Sequence, residues 1–163
     1  MRIILVVLLF LSASSNANLF FNTFNANDVE VLTPSSLRVT ITERNEIRNG
    51  VLTVRIDDVD FELSKNADCI NSSTKDCSRL NTLLSNSSVK IYLHSYNYKD
   101  EEYHGDIFVD GQNLSYYMIK NGWYKFDYKQ SRSKHLVLMQ KEAMCKGLGI
   151  WAISSLKIDE MCN

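Results

Sequence analysis

Acidic residues near the middle of the chain are spaced so that they could hold a cation. Asp58, Asp60 and Glu62 occupy alternate positions, and alternate residues of an extended strand point to the same face. Carboxylate oxygens are ligands that Ca²⁺ prefers. The alternative is a solvated acidic face with no bound ion, and we favour that interpretation of the spacing alone.

A second group combines basic and aromatic side chains. Lys125 and Lys129 lie on either side of Tyr128. This mixture suits a nucleic acid, because lysine attracts phosphate and an aromatic ring stacks on a base. Ordinary packing of Tyr128 is the alternative, as it is for Trp123 and Phe126 nearby.

Length and composition limit what else the chain can be. Its 163 residues suffice for one domain, and 45% hydrophobic with 23% charged residues is typical of a globular protein. This composition excludes a disordered chain, a collagen-like repeat and a coiled coil. With 18 Lys and Arg against 19 Asp and Glu, no broad basic surface is present, so any nucleic-acid contact must be local.

Residues 1–17 predict a secretory signal peptide. Met1 and Arg2 form a short basic start, residues 3–11 are an apolar run, and residues 15–17 are small or polar, as at a cleavage site. The apolar run is too short for a bilayer core, which needs about 20 residues. We therefore expect a secreted or periplasmic protein with no membrane attachment after signal cleavage.

In an exported chain, cysteines favour disulfides over metal sites. Cys69 and Cys77 enclose a polar stretch, and Cys145 and Cys162 enclose the end of the chain. We expect the bridges Cys69–Cys77 and Cys145–Cys162, although four cysteines allow three pairings. Zinc is less favoured, because no CxxC pair is present and the histidines are scattered. These are His94, His104 and His135.

Asn-x-Ser sequons begin at Asn71, Asn86 and Asn113. Such sequons accept N-glycans in a eukaryotic secretory pathway. In a chain rich in Asn and Ser they could equally arise by chance, and in a bacterium they would have no meaning.

The hydrophobic pattern predicts strands and helices that are interspersed along the chain. Alternating apolar residues from Leu37 to Ile41 predict a strand, and Asn49-Gly50 predicts a two-residue hairpin turn into a strand over residues 51–59. Further strands are expected over residues 89–93 and 103–109. Helices are expected over residues 80–84, 115–121 with Ser115 as N-cap, and 133–145.

We expect an α+β fold with a five-stranded OB-type β-barrel and three helices, of which the segments above account for four strands and all three helices. Residues 18–35 are predicted to be a loose lead-in, because they are rich in Asn and show no sustained period. The barrel domain is expected over residues 36–152, and a tail over residues 153–163.

Several segments resemble the staphylococcal nuclease (thermonuclease-like) family. They are residues 54–56 (VRI) with 59–60 (VD), residues 105–114 (GDIFVDGQNL) with 118–123 (MIKNGW), and residues 142–143 (EA) with 147–151 (GLGIW). The resemblance covers residues 37–151. It implies a five-stranded OB-type barrel capped by three helices.

The resemblance also implies a site in which two Asp hold Ca²⁺, two Arg bind the phosphate and a Glu assists the attacking water. Arg55 matches the first arginine and Asp60 matches a metal ligand. Elsewhere the pattern is broken. Asn45 stands at the second metal aspartate, Leu63 at the catalytic glutamate with Glu62 one residue away, and Glu102 at the second arginine. Tyr128 matches a tyrosine that borders the nucleotide, flanked by Lys125 and Lys129.

A carboxylate at residue 102 would repel the phosphate that an arginine attracts. Loss of one such contact commonly costs about 2.7–4 kcal/mol, or a hundred- to a thousandfold in rate. The sequence thus predicts a degenerate site that is non-catalytic or weakly active, with Ca²⁺ binding weak or absent and with binding to DNA, RNA or a protein partner retained. The alternative is a divergent Ca²⁺-dependent nuclease, which would be favoured if Arg79 or Lys99 filled the place of the lost arginine.

Overall fold

The computed structural model describes residues 23–42, 49–61, 67–71, 74–129, 132–152 and 162. The predicted signal peptide and nearly all of the predicted tail lie outside these residues. So do three residues of the predicted site: Asn45, Glu62 and Leu63.

The described part of the chain contains short strands and three α-helices. In chain order the strands are β1 (Thr23–Thr33), β2 (Ser36–Thr42), β3 (Asn49–Ile56), β4 (Val59–Asp60), β5 (Val89–Asn97), β6 (Glu102–Val109), β7 (Gln112–Asn113) and β8 (Lys125–Phe126). The helices are α1 (Lys75–Leu84), α2 (Leu114–Lys120) and α3 (Lys134–Cys145), followed by a 3₁₀ turn at Gly149–Trp151.

Five of the strands close into a barrel. They are paired in the order β3-β2-β1-β5-β6, and a parallel pairing of β3 with β6 closes the ring. Strand β7 adds to β6, while β4 and β8 form a separate two-stranded sheet. The predicted α+β fold, a five-stranded OB-type barrel with three helices, is confirmed.

The alternation in β2 explains how the barrel is filled. Leu37, Val39 and Ile41 are buried, because alternate strand residues face the interior. Arg38 points outward and pairs with Glu30 on β1 at 2.6 Å between Nη1 and Oε2. The strand pattern read from the sequence therefore corresponds directly to the inner and outer faces of the barrel.

The predicted loose lead-in over residues 18–35 is wrong for residues 23–33, which form β1. This strand pairs with β2, for example Val29 with Val39, and with β5, for example Phe24 with Ile91. Val31 is the only residue of β1 that is less than a tenth exposed. The segment therefore shows little hydrophobic alternation. Backbone pairing with two neighbours, rather than its own composition, makes it a strand.

The predicted turn at Asn49-Gly50 and the predicted continuous strand over residues 51–59 are both wrong. Asn49 pairs with Thr42 inside the β2–β3 ladder, so the connection falls at residues 43–48, outside the described part. The strand ends at Ile56, and Asp58 has a φ of +67°. Aspartate tolerates this left-handed conformation better than most residues. Because it interrupts the strand, Asp58 and Asp60 do not follow the extended alternation assumed for a cation site.

Each helix begins at a polar cap. Thr74 accepts a hydrogen bond from the backbone N–H of Cys77, and Ser133 accepts one from Leu136. Helix α2 is capped by Asn113, so the predicted N-cap at Ser115 is wrong. The Ser115 hydroxyl instead donates to the backbone carbonyl of Asp57 at 2.7 Å and ties α2 to the end of β3.

Both predicted disulfides are confirmed. The Cα atoms of Cys69 and Cys77 are 5.2 Å apart, and those of Cys145 and Cys162 are 5.6 Å apart. Two disulfides indicate an oxidising environment, extracellular or periplasmic. Within the described residues, no helix has the length and apolar character needed to cross a membrane.

Candidate functional site

The parallel pairing of β3 with β6 brings Arg55 to Glu102. Arg55 pairs with His104 in the ladder, and Glu102 precedes His104 by two positions on the same face. Arg55 Nη1 lies 3.3 Å from Glu102 Oε1. The Ser36 hydroxyl donates to Glu102 Oε2 at 2.9 Å. Both carboxylate oxygens of Glu102, which is only 7% exposed, therefore have partners.

This position differs from the one the sequence suggests for Glu102. The sequence places Glu102 in an acidic cluster with Asp100 and Glu101. These two residues lie exposed in the turn before β6, and Asp100 accepts a hydrogen bond from Asn97. Glu102 is turned away from the solvent and neutralises Arg55.

Asp60 lies in β4 directly opposite Lys125 of β8. The structure thus brings together one residue predicted to bind metal and one predicted to bind nucleic acid. Ca²⁺ takes six to eight oxygen ligands. Within the described part of the chain, no group of three or more His, Cys, Asp or Glu side chains is arranged to hold a metal ion. The predicted ligand Asn45 and the candidate carboxylate Glu62 lie outside the described residues, so calcium binding stays a prediction, and no step proposed below uses a metal.

Tyr128 keeps an accessible ring in a fixed position. It is 60% exposed, and its hydroxyl accepts a hydrogen bond from Gln140 Nε2 at 2.9 Å. Its ring meets Phe126 edge-on at 4.8 Å between centroids. Lys129 is exposed nearby, whereas Lys125 Nζ lies 5.8 Å from the centre of the Trp151 ring. An anchored, exposed ring beside Lys129 is compatible with base stacking.

Two histidines that appear scattered in the sequence meet at Asp57. His94 Nδ1 is 3.2 Å from Asp57 Oδ2, and His104 Nδ1 is 2.9 Å from Asp57 Oδ1. Strands β5 and β6 are neighbours, and the irregularity in their pairing between Leu93 and Ser95 falls at His94. The description of His94 and His104 as scattered is therefore wrong. His135 packs against Tyr116.

The second nitrogen of His94 meets another carboxylate. His94 Nε2 lies 3.2 Å from Asp106 Oδ2, and Asp106 Oδ1 accepts a hydrogen bond from Asn113 at 3.1 Å. A histidine ring donates from both nitrogens only when it is protonated. Each ring nitrogen of His94 faces a carboxylate, Asp57 on one side and Asp106 on the other.

These residues line a cleft of about 550 Å³. The lining consists of Asp57, Asp58, His94, Ser95, His104, Asp106 and Tyr116. With neutral histidines the carboxylates make the cleft negative, which opposes the entry of a phosphodiester.

The sequence contained one signal that His94 and His104 lie close together, namely the predicted hairpin between their strands. A turn midway between the strands predicted at residues 89–93 and 103–109 sets residues 94 and 104 on adjacent strands.

We expect the Asp57→Ala variant to lose about 1.5–3 kcal/mol in the free energy of unfolding, because hydrogen bonds to a charged group are lost from two histidines. Urea unfolding followed by circular dichroism measures this loss. Asp28→Ala, at an exposed position of β1, is the matched control and should change the free energy by less than about 0.5 kcal/mol. Equal effects of the two variants would show that Asp57 does not organise the cleft.

Comparison of the sequence with protein-family models and with curated proteins found no match. A relation to thermonuclease-like proteins therefore stays a prediction from the motifs quoted above. The OB-like barrel is compatible with that prediction, but a fold of this class serves many functions. The function must be argued from the side chains at the site.

Proposed function

We propose that this chain is an exported barrel protein whose thermonuclease-like site has lost catalysis and which acts by binding. The ion pair between Arg55 and Glu102 is the observation that carries this proposal. An arginine that serves a phosphodiesterase must offer its guanidinium to the phosphate. Here the guanidinium is already paired within the protein.

The chemistry of phosphodiester hydrolysis explains why this pair matters. Attack on phosphorus gathers negative charge on oxygen atoms, and enzymes stabilise that charge with cations and guanidinium groups. Glu102 cancels the charge of Arg55, and the adjacent cleft adds the carboxylates of Asp57 and Asp106. The electrostatic environment thus opposes the transition state.

The alternative nuclease requires a replacement for the lost arginine, and Arg79 and Lys99 are the candidates. Arg79 lies on α1, and its guanidinium sits 5.4 Å from the centre of the Trp123 ring. Lys99 is exposed in the turn between β5 and β6. Within the described part of the chain, the salt bridge of Glu102 is made to Arg55 and to neither of these two residues. These positions favour the binding protein over the nuclease.

The binding that we propose is to single-stranded DNA or RNA at Tyr128 and Lys129, with Lys125 at its edge. Tyr128 supplies an exposed ring whose orientation is held by Gln140. Stacking needs a ring and nearby positive charge and does not need the lost catalytic groups. The alternative ligand is a protein partner, and the test below distinguishes it from a nucleic acid.

The test measures cleavage and binding of labelled single-stranded oligonucleotides by the purified chain at fixed ionic strength. We expect no Ca²⁺-dependent cleavage, and we expect Arg55→Ala to leave the background rate unchanged. Robust Ca²⁺-dependent cleavage that Arg55→Ala or Asp60→Ala abolishes would overturn the proposal.

The binding arm uses Tyr128→Ala, which we expect to weaken oligonucleotide binding by about 1–3 kcal/mol, the usual contribution of one stacked base. The matched control is Tyr98→Ala, which removes a ring that is 87% exposed elsewhere on the surface. Absence of oligonucleotide binding by the unaltered chain would contradict the nucleic-acid assignment and favour a protein partner.

A further inference from the structure

We propose that Asn86 is an N-glycan acceptor of this chain and that Asn113, which carries the same type of sequon, is not. This inference goes beyond the proposed binding function and does not depend on it. It depends on passage through a eukaryotic secretory pathway, whose oxidising compartment matches the two disulfides. What separates the two asparagines is their place in the fold.

Asn86 lies in the turn between α1 and β5. It is exposed and has a φ of +67°, and Ser88, the hydroxyl residue of its sequon, is exposed as well. The turn is held by the backbone N–H groups of the two residues that follow Asn86. Ser87 N–H donates to the carbonyl of Leu84, and Ser88 N–H donates to Asp110. A glycan on Asn86 therefore extends into solvent and leaves these contacts intact.

Both polar atoms of the Asn113 side chain are used within the fold. Its Oδ1 accepts the backbone N–H of Tyr116 at 3.1 Å and so caps α2. Its Nδ2 donates to Asp106 Oδ1 at 3.1 Å. Asn113 is half-buried and pairs with Phe108 across β6 and β7. A bulky group on Nδ2 would displace Asp106 from the cleft wall and disturb the cap.

The chemistry needs one co-reactant, an oligosaccharide carried on a lipid pyrophosphate. The side-chain amide nitrogen of Asn86 attacks the anomeric carbon of the first sugar. A nitrogen–carbon bond forms, the carbon–oxygen bond to pyrophosphate breaks, the lipid pyrophosphate leaves, and the amide nitrogen loses one proton. An exposed turn leaves room for this product in the folded chain, whereas a helix cap does not.

The third sequon, at Asn71, continues into Ser72 and Ser73, which lie outside the described residues. Every chain in the test therefore carries Asn71→Gln, so that the readout reports on Asn86 and Asn113 alone. The full chain, preceded by a cleavable leader of the host, is translated with endoplasmic reticulum membranes. Import is checked by protection from added protease, and glycans are read by a gel shift that a peptide N-glycosidase reverses.

We expect the imported chain to carry one glycan, which peptide mapping places at Asn86. Ser88→Ala should abolish the shift while leaving Asn86 in its left-handed turn, and Ser88→Thr should retain it, because threonine also completes the sequon. Asn113→Gln should not change the shift. An imported chain with no glycan at Asn86, or with a glycan at Asn113, would overturn the proposal.

Discussion

The Glu102→Ala variant is expected to lose up to about 3 kcal/mol in the free energy of unfolding, because removing the buried carboxylate leaves a partly buried guanidinium without its partner. Arg55 would lose its carboxylate, and the Ser36 hydroxyl would lose its acceptor. Arg55 keeps 30% of its side chain exposed, so hydration offsets part of this loss. Urea unfolding followed by circular dichroism measures the change.

A double variant tests whether Arg55 and Glu102 form a structural ion pair or whether Arg55 serves to bind a ligand. Replacing a buried ion pair by apolar residues of similar volume is often neutral or stabilising. We therefore expect Arg55→Met with Glu102→Met to be more stable than Glu102→Ala. If Glu102→Ala keeps the stability of the unaltered chain and gains Ca²⁺-dependent cleavage, then Arg55 is catalytic, and the assignment of this pair to the structure is wrong.

The Gly122→Ala variant is expected to abolish folding or to cost more than about 4 kcal/mol, an effect reserved for severe steric or packing defects. A Cβ at Gly122 would lie 2.2 Å from the backbone oxygen of Leu148. The reverse contact is as close, because a Cβ at Gly149 would lie 2.0 Å from the backbone oxygen of Gly122. The yield of soluble protein and its circular dichroism spectrum report the outcome.

A second glycine provides the matched control. Gly122 and Gly111 both have positive φ, +65° and +81°, but no atom lies within 4 Å of a Cβ built at Gly111. Gly111→Ala therefore adds only the strain of a left-handed residue, about 1–2 kcal/mol. Equal losses for Gly111→Ala and Gly122→Ala would show that the close approach of the two backbones is not important.

The close approach of the Gly122 and Gly149 backbones gives a packing reason for the glycines in two of the segments that resemble the family. The Ile150 N–H donates to the Gly122 carbonyl at 2.8 Å, so the 3₁₀ turn after α3 is bonded to the end of α2. A side chain at either glycine would separate the two backbones. The motifs around Gly122 and Gly149 therefore belong to the packing of the helical end of the molecule.

Features that depend on local spacing were predictable. Alternation from Leu37 to Ile41 marks a buried strand face, and the short separation of Cys69 from Cys77 allows only a local loop. Such patterns are properties of neighbouring residues. They fail where pairing overrides them, as at Asn49-Gly50, which lies inside the β2–β3 ladder and not in a turn. Strand β1 was missed because its pairing with β2 and β5 comes from distant segments.

The candidate site likewise combines features that the sequence predicts with features that only the tertiary structure sets. The family resemblance predicts that Arg55 and Glu102 stand at two arginine positions of the family, but it does not say what each side chain contacts. The parallel pairing of β3 with β6 makes these two residues partners, and the irregularity in β5 at His94 directs two histidines to Asp57. Pairing between distant strands sets these distances. Because electrostatic energy depends on distance and burial, the charge that a ligand meets in the cleft follows from the assembled barrel and not from the order of residues in the chain.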